Sequence, residues 1–477
     1  MSEKDLRAGN AHQFKSNFGF LMAAVGSAVG LGNIWGFPYK MGSNGGFNFL
    51  IIYLVLAVFI GFAILLGELV IGRYTGKGVV LSYNMLAQKY TFVGWMGFLS
   101  GFCLLAFYTM LGGYCIRYMV ANFLDIFGSP YGVAGEAPAD FFVGFFTNPV
   151  TSSIFTVIFM AITLVIVMGG VRGGIEKFSV VAMPILVVLL FVLIVKTLTL
   201  PGAFGGIEFM FKPRMDAFHD MGWIKVFSAA GGQMFFSISI GLGAMMTYSA
   251  YLDKKENLVK NSVFIILFDT LVAIMMGLIV MPAVFAFGME PGGGPGLLFV
   301  SLQHVFQSMG KFGALFGFIF YFFVVVAAVS SSIAMFEVVT TSAINLREVK
   351  GKAPNRKSTA FKLALVAAVL GIFVSADGLG TSNFPHFFAQ PTWLETFDLL
   401  AEGIMMPLGA LFMSLLIGWK FGPEFMRNEI TLNGNSWRFE KFTMLCMKVL
   451  APLGIIFILL GQLDGFFNLN FFIFKFF

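Results

Sequence analysis

The feature that most constrains this chain is a series of long apolar stretches that recurs along nearly its whole length. The hydrocarbon core of a bilayer is about 30 Å thick, and a helix of roughly 20 apolar residues crosses it. Only 11% of the residues are charged, against about 25% in soluble domains. The sequence therefore predicts an all-α polytopic membrane protein and excludes most soluble enzymes and all DNA-binding modules.

Apolar runs separated by polar loops predict eleven transmembrane helices. They lie near 18–40, 47–72, 93–127, 150–169, 176–200, 223–251, 260–288, 313–345, 360–376, 396–419 and 441–463. The third and the eighth are longer than a perpendicular crossing requires, so we expect them to tilt or to project into solvent.

The basic residues of the loops predict the orientation of these helices. Of the 30 Lys and Arg residues, 21 fall on the side of the amino terminus, five on the opposite side, and four are assigned to neither. Cytoplasmic loops carry the excess of positive charge. We therefore expect a cytoplasmic amino-terminal tail over 1–17 without a cleavable signal peptide, and an extracytoplasmic carboxyl-terminal tail over 464–477.

Two of the predicted helices carry small and polar residues at mid-membrane depth. The first contains GSAVGLGN (Gly26 to Asn33), and the sixth contains FFSISIGLG (Phe235 to Gly243). One interpretation is close packing of small residues between helices. The other is a pair of broken helices, because the two segments lie five helices apart, as in an inverted repeat. That interpretation predicts a first repeat over 18–200, a second over 223–419, and an eleventh helix outside both.

Hard oxygen ligands and buried acids are the next candidates. Ser330, Ser331 and the Ala327 carbonyl could hold a small cation, although such hydroxyls more often bond to their own helix. Asp269 lies in an apolar run with no basic residue near it in sequence. A buried carboxylate there requires a cation, either a bound metal ion or a partner elsewhere in the chain. Glu68 and Glu337 lie nearer the cytoplasmic ends, where a structural role is expected.

Three segments resemble one family. GSAVGLGNIWGFPY (Gly26 to Tyr39), followed by NGG, resembles the first-helix signature of the neurotransmitter:sodium symporters. GQMFFSISIGLGAMMTYSAY (Gly232 to Tyr251) and AAVSSSIAMFE (Ala327 to Glu337) resemble their sixth and eighth helices. The resemblance implies the LeuT fold, with broken first and sixth helices, and sodium-coupled uptake of amino acids, amines or osmolytes by alternating access. Many members have twelve helices rather than eleven.

The resemblance also implies two sodium sites, and no organic cofactor is expected. The first would use Ala28, Asn33, Ser237 and Asp269, and the substrate carboxylate would complete it. The second would use Gly26, Val29, Ala327, Ser330 and Ser331. All of these ligands are oxygens, as a hard cation requires.

Asp269 also bears on chloride. Chloride-dependent members carry a neutral Asn at this position and a Ser one turn later, where this chain has Ala273. A fixed negative charge would replace chloride, so the resemblance predicts a chloride-independent transporter. Tyr53 and Gln233, which help to hold chloride in dependent relatives, would then be structural hydrogen-bonding residues.

The substrate class is predicted from Gly30, where monoamine members carry an Asp. Without that acid the carboxylate must come from the substrate, which favours an amino acid, although GABA-type substrates also accompany Gly. The lining is apolar, which favours a neutral hydrophobic or aromatic amino acid. The residues expected to contact it are Ala28, Leu31, Gly32, Leu104, Tyr108, Phe236, Ser237, Ser239, Leu242, Ser331 and Met335.

The gates depart from the family pattern. Tyr108 and Phe236 are expected to form an aromatic lid. The outer-gate Arg of many relatives is Gly36 here, so its acid, Asp398, lacks that partner, and Lys40 is a candidate substitute. At the inner gate an amino-terminal Trp is replaced by Phe14. Tyr251 and Glu337 match inner-gate positions, and closure there must use a different network.

The leading hypothesis is a sodium-coupled amino-acid symporter in the inner (plasma) membrane of a prokaryote, with no enzymatic activity and no nucleic-acid partner. A second hypothesis is a sodium-dependent amino-acid-binding receptor or a channel-like protein, and the departures at the gate positions Gly36 and Phe14 are consistent with it. A third is a symporter of a GABA-like or betaine-like osmolyte. The lipid bilayer is an obligate partner, and a homo-oligomer remains an open alternative.

Overall fold

The structure of the chain is a computed structural model, which describes residues 13–213, 222–291, 296–388 and 390–467. The outer parts of both predicted tails, 1–12 and 468–477, lie outside the described residues. The described residues form helices joined by short loops and contain no β-strand. The prediction of an all-α protein is confirmed.

Seventeen helices are labelled here in chain order. Up to residue 213 these are α1 (Asn17–Ala28), α2 (Gly32–Ser43), α3 (Phe47–Thr75), α4 (Val79–Leu86), α5 (Gln88–Ile126), α6 (Pro138–Phe146), α7 (Pro149–Met168), α8 (Val171–Leu198) and α9 (Phe204–Phe211). The remainder contains α10 (Trp223–Ile238), α11 (Ala244–Ser249), α12 (Leu258–Ala286), α13 (Leu297–Ser301 continuing as Leu302–Ser308), α14 (Gly313–Val349), α15 (Arg356–Ala376), α16 (Trp393–Ile430) and α17 (Glu440–Phe467).

Nine of the described helices are long and apolar enough to cross a membrane, or ten if the bent pair α1–α2 counts as one span. The predicted sixth span corresponds to α10 and α11, which are separated by residues 239–243. The predicted count of eleven depends on treating that pair as one further crossing, so it stays a prediction. The predicted ends of the other helices agree with the structure to within a few residues, except that α16 continues to Ile430.

Both predicted interruptions are breaks in the helical backbone. The axis bends by 46° between α1 and α2, where Val29 adopts an extended conformation with φ −78° and ψ 99°. Between α10 and α11, Gly241 has φ 82° and Ser239 has φ 57°. A side chain at Gly241 would also collide with the main chain of Met406. The backbone therefore requires glycine at this point of the second break.

The two broken helices lie in the middle of the bundle. α1 contacts α8, α12 and α14, and α10 packs between α3 and α17. α14 packs along α5, and α7 packs on both α5 and α15. The breaks are therefore surrounded by long helices, and this arrangement exposes their free backbone groups to an interior site rather than to lipid.

Candidate functional site

The Asp269 carboxylate on α12 is the centre of a buried polar cluster. It is fully buried and accepts a hydrogen bond from Asn33 Nδ2 at 2.7 Å. Ser237 Oγ donates to it at 2.9 Å, and the Tyr53 hydroxyl donates at 3.1 Å. The structure thus brings three predicted ligands of the first sodium site together from α2, α10 and α12. The fourth, Ala28, is buried at the end of α1.

The groups that hydrogen-bond to Asp269 are all neutral. Over the described ranges no ion pair involves this carboxylate. A buried carboxylate without a cationic partner is unfavourable by several kcal/mol, to an order of magnitude, unless a cation binds to it. The interpretation in which Asp269 pairs with a distant basic side chain therefore has no support among the described residues.

A second cluster of oxygens lies where α14 faces the end of α1. Ser331 Oγ donates to the Gly26 carbonyl at 3.2 Å. Ser330 Oγ donates to the Ala327 carbonyl at 2.7 Å and lies 3.5 Å from the Val29 carbonyl. These contacts bring together all five residues predicted for the second sodium site.

The residues predicted to bind the carboxylate of the substrate lie between these two clusters. Leu31 N donates to the Tyr108 hydroxyl at 3.0 Å, which joins α5 to the break in the first helix. A Cβ placed on Gly30 would meet both that hydroxyl and Ser331 Oγ. Gly30 therefore keeps this space free of side-chain atoms.

The other predicted substrate contacts surround the same space. Leu104, Leu242, Met335 and Phe236 are all buried. A Cβ on Gly32 would lie 3.1 Å from the Phe236 ring and 3.4 Å from Ser237 Cα. Ser239 Oγ donates to the Ser27 carbonyl at 3.1 Å, so the two breaks are joined directly.

Glu68 on α3 supports the second break. Its carboxylate accepts from Gly241 N at 2.7 Å and from Met246 N at 3.3 Å. These N–H groups lack helical partners because the helix is interrupted, and an unsatisfied backbone group in a membrane interior costs several kcal/mol, to an order of magnitude. Glu68 therefore accepts the hydrogen bonds of backbone N–H groups that the break in the helix leaves without a partner.

Gln233 and Ala273 lie beside the Asp269 cluster. Gln233 Nε2 donates to the Gly32 carbonyl at 2.7 Å, and Ala273 is fully buried on α12, one turn beyond Asp269. Tyr53 and Gln233 thus each donate a hydrogen bond to another part of the chain.

On the side predicted to be extracellular, Lys40 forms an ion pair. Its Nζ lies 2.5 Å from Glu402 Oε1 and 6.0 Å from the centroid of the Phe236 ring. Asp398 interacts electrostatically with both members of this pair. The lysine thus lies in the region predicted to form the outer gate, where this chain has Gly36 in place of an arginine, and its direct partner Glu402 is one turn beyond Asp398.

On the opposite side Glu337 is the centre of a hydrogen-bonded network. It is fully buried, and the Arg356 guanidinium binds it with two N–H groups, one of them at 2.9 Å. The Tyr251 hydroxyl lies 3.3 Å from the carboxylate and 2.8 Å from Thr341 Oγ1. Phe14 N donates to the Tyr251 carbonyl at 3.2 Å. The three predicted inner-gate residues are therefore in one connected group.

The sequence analysis missed Glu402, Arg356 and Thr341. Glu402 lies inside the predicted tenth span, four residues after Asp398 on the same helical face, and that spacing was a usable signal. Arg356 stands four residues before the predicted ninth span and was counted only as a cytoplasmic charge. Thr341 is one turn beyond Glu337 on α14.

Comparison with known proteins gives consistent results. The model of the sodium:neurotransmitter symporter family matches residues 11–128 and 147–476. The chain is 34% identical over 452 residues to the uncharacterized sodium-dependent transporter YhdH of Bacillus subtilis (strain 168), covering 94% of this chain and 97% of the relative. It is 30% identical over 472 residues to an uncharacterized sodium-dependent transporter of Haemophilus influenzae, covering 94% and 98%.

Among solved structures, the crystal structure of MhsT in complex with L-phenylalanine superimposes with a TM-score of 0.84 at 35% sequence identity. The match covers 94% of this chain and 99% of the other. The predicted LeuT-type fold is confirmed by this match.

Proposed function

This chain belongs to the sodium:neurotransmitter symporter family, and from that premise we propose that it imports a neutral, hydrophobic or aromatic amino acid together with sodium. We further propose two sodium ions per cycle, no requirement for chloride, and a cytoplasmic amino terminus.

The observation that carries the proposal is the Asp269 cluster. A fully buried carboxylate, held by Asn33, Ser237 and Tyr53, offers a sodium ion one negative charge and several neutral oxygens. The substrate carboxylate would bind between this cluster and the Leu31–Tyr108 contact. Sodium and substrate would then share a coordination shell, so that each strengthens the binding of the other by the same factor.

The proposed substrate class rests on the lining of the space beside Gly30. Leu104, Leu242, Met335 and Phe236 supply an apolar surface, and Gly30 supplies no acid to pair with an amine. The related structure of MhsT was determined with L-phenylalanine, which supports a ligand that has both a carboxylate and an apolar side chain.

Chloride independence rests on the same carboxylate. In this family a negative charge beside the first sodium is supplied either by chloride or by an acidic side chain. Tyr53 donates to Asp269 at 3.1 Å, and Ala273 offers no hydroxyl to an anion. Asp269 therefore occupies the position at which an anion would otherwise balance sodium.

The two gates would alternate. Outer closure would bring Lys40 against Glu402 above the Tyr108–Phe236 lid. Inner closure would use Arg356 and Glu337, with Tyr251 and Phe14 packed beside them. The sodium gradient favours binding of sodium from outside and its release inside. Binding and release would therefore shift the population from the outward-open to the inward-open state and carry the substrate inwards.

The test is uptake of labelled amino acids by the full-length protein in proteoliposomes. An inward sodium gradient is compared with an inward potassium gradient, each with chloride or gluconate as the anion. We expect accumulation with sodium in either anion, and competition by unlabelled phenylalanine or leucine rather than by GABA or betaine.

Other outcomes separate the alternatives. A requirement for chloride would contradict the role given to Asp269 but not the coupling to sodium. Competition by GABA or betaine alone would replace the amino acid with an osmolyte. Sodium-dependent binding in detergent without accumulation would favour a receptor, because a symporter concentrates its solute and a receptor does not.

A further inference from the structure

A polar cavity lies outside the transport site, at the end of the bundle that the loop charges place in the cytoplasm. Its volume is about 350 Å³. One wall is the connection between α7 and α8, residues 168–173, and the other is the start of α15, residues 354–357. The size is within the range of small-ligand sites, roughly 300–1,000 Å³.

The charge of this cavity is one-sided. Its lining contains Arg172, Arg356 and Lys357 and no carboxylate. Arg172 and Lys357 are exposed, and neither forms an ion pair within the part of the chain that the structure describes. Arg356 is the exception, since its guanidinium binds Glu337 and donates to the Val167 carbonyl at 2.9 Å. Arg172 and Lys357 thus have no counter-charge among the described residues.

The backbone of the first wall leaves room for a ligand. Residues 169–173 include three glycines, and a Cβ on Gly170 or Gly173 would meet nothing within 4 Å. Gly173 does not have a positive φ, so its lack of a side chain is not demanded by backbone strain. A ligand can therefore approach the main chain of this wall closely.

We propose that this cavity binds a phosphate group, carried either by an anionic phospholipid of the adjoining leaflet or by a soluble phosphate. Arginine presents a planar fork of N–H donors that matches phosphate oxygens, and lysine adds a point charge. Anionic lipids of the cytoplasmic leaflet carry such groups at the membrane surface. Because Arg356 lines the cavity and also binds Glu337, a phosphate here would contact the inner-gate network through its arginine.

The test measures the thermal stability of the purified full-length protein as a function of added ligand. The three ligands are phosphatidylglycerol in mixed micelles, phosphatidylcholine in the same micelles, and inorganic phosphate at constant ionic strength. The test variant is R172Q/K357Q. The matched control is K350Q/K352Q, which removes two exposed lysines from the connection between α14 and α15 without altering the cavity lining.

We expect a saturable rise in Tm with phosphatidylglycerol, inorganic phosphate or both, and none with phosphatidylcholine. Each surface cation contributes about 1 kcal/mol to such binding, so R172Q/K357Q should weaken the apparent affinity roughly 30-fold, whereas K350Q/K352Q should leave it unchanged. A response to the lipid alone identifies a headgroup, and a response to inorganic phosphate identifies a soluble source. No response to either, or equal responses in the two double variants, would overturn the proposal.

Gly173 provides a second variant that keeps all three cations. Gly173→Glu places a carboxylate in the open wall and should abolish the rise in Tm by repelling an anion. Gly173→Ala tests the backbone change alone and should retain the rise. A Gly173→Glu protein that is folded and still responds as the wild type does would also overturn the proposal.

Discussion

The two clusters proposed to bind sodium differ in how they would balance the charge of the ion. The first contains the Asp269 carboxylate, which is held by three neutral side chains. The second contains only dipoles, namely the Ser330 and Ser331 hydroxyls and backbone carbonyls of α1 and α14. A cation would neutralise a buried charge in the first cluster, whereas in the second it would introduce one.

This difference predicts different sensitivities. An interaction between opposite charges in a dry interior is strong and depends on the presence of the charge. Coordination by dipoles depends instead on how well several oxygens converge, and the second cluster is completed only where α1 meets α14. We therefore expect the first cluster to respond mainly to changes of charge and the second mainly to loss of individual oxygens.

The largest effect is expected from Asp269→Asn, which keeps the size of the side chain and removes its charge. Truncating one member of a buried charge pair costs about 2–5 kcal/mol, so the apparent sodium affinity should fall by roughly 30-fold or more. Sodium-dependent binding of labelled substrate in detergent measures this directly. Asp140→Asn, an exposed carboxylate on α6, is the control, and equal sodium affinities in the two variants would exclude Asp269 as a ligand.

The next effect tests whether the charge can be supplied from solution. In Asp269→Asn with Ala273→Ser, a hydroxyl and a neutral amide replace the acid, and chloride can bind near Tyr53. We expect uptake in chloride to exceed uptake in gluconate by about tenfold, equivalent to about 1.4 kcal/mol. Ala273→Ser alone should remain indifferent to chloride. If uptake by the double variant is equally low in chloride and in gluconate, the Asp269 carboxylate has a role that chloride cannot take over.

Part of each cluster could be predicted from the sequence for a physical reason, since the glycines at the two helix breaks are costly in a membrane helix. Asp269, Ser330 and Ser331 lie on the unbroken α12 and α14, and they were singled out as a buried charge and adjacent hydroxyls and assigned to sodium sites by the family resemblance. The ion pairs at the two predicted gates were not predictable in the same way. Lys40 and Glu402 are separated by 362 residues, and their pairing depends on how α2 and α16 pack rather than on any local pattern.

Arg356 illustrates the same limit. Charge counting placed it in a loop, and only the packing of α15 against α7 brings it to Val167 and Glu337. The helix ends were predicted more closely because they follow the local boundary between apolar and polar residues. The number of crossings is less certain from hydropathy, since a broken helix such as α10–α11 has no single long apolar segment.

A smaller effect is expected at the second cluster, where three consecutive serines provide matched variants. Ser331 Oγ reaches across to α1, Ser330 Oγ bonds mainly within α14, and Ser332 Oγ bonds to Val329 and Thr163. Ser331→Ala should weaken sodium affinity by about tenfold, in line with the roughly 1–3 kcal/mol cost of losing one buried polar partner. Ser330→Ala should have a smaller effect and Ser332→Ala none. The reverse order would contradict the assignment of these hydroxyls.

A smaller effect on sodium affinity than that of Ser331→Ala is expected from Tyr53→Phe. Its hydroxyl donates to Asp269 without being a proposed ligand, so its loss should change the sodium affinity by less than about threefold. Stability should still fall, because a hydrogen bond to a charged group contributes about 1.5–3 kcal/mol. Tyr321→Phe, which removes another buried hydroxyl that donates to the Leu298 carbonyl, controls for that general loss of stability.

The same Tyr53→Phe change gives a different result in the Asp269→Asn and Ala273→Ser background. There it should cancel the increase of uptake in chloride over uptake in gluconate, because the Tyr53 hydroxyl would contact the anion itself. If Tyr53→Phe alone weakens sodium binding as much as Asp269→Asn does, the first cluster depends on neutral oxygens as the second does, and the contrast between them is wrong.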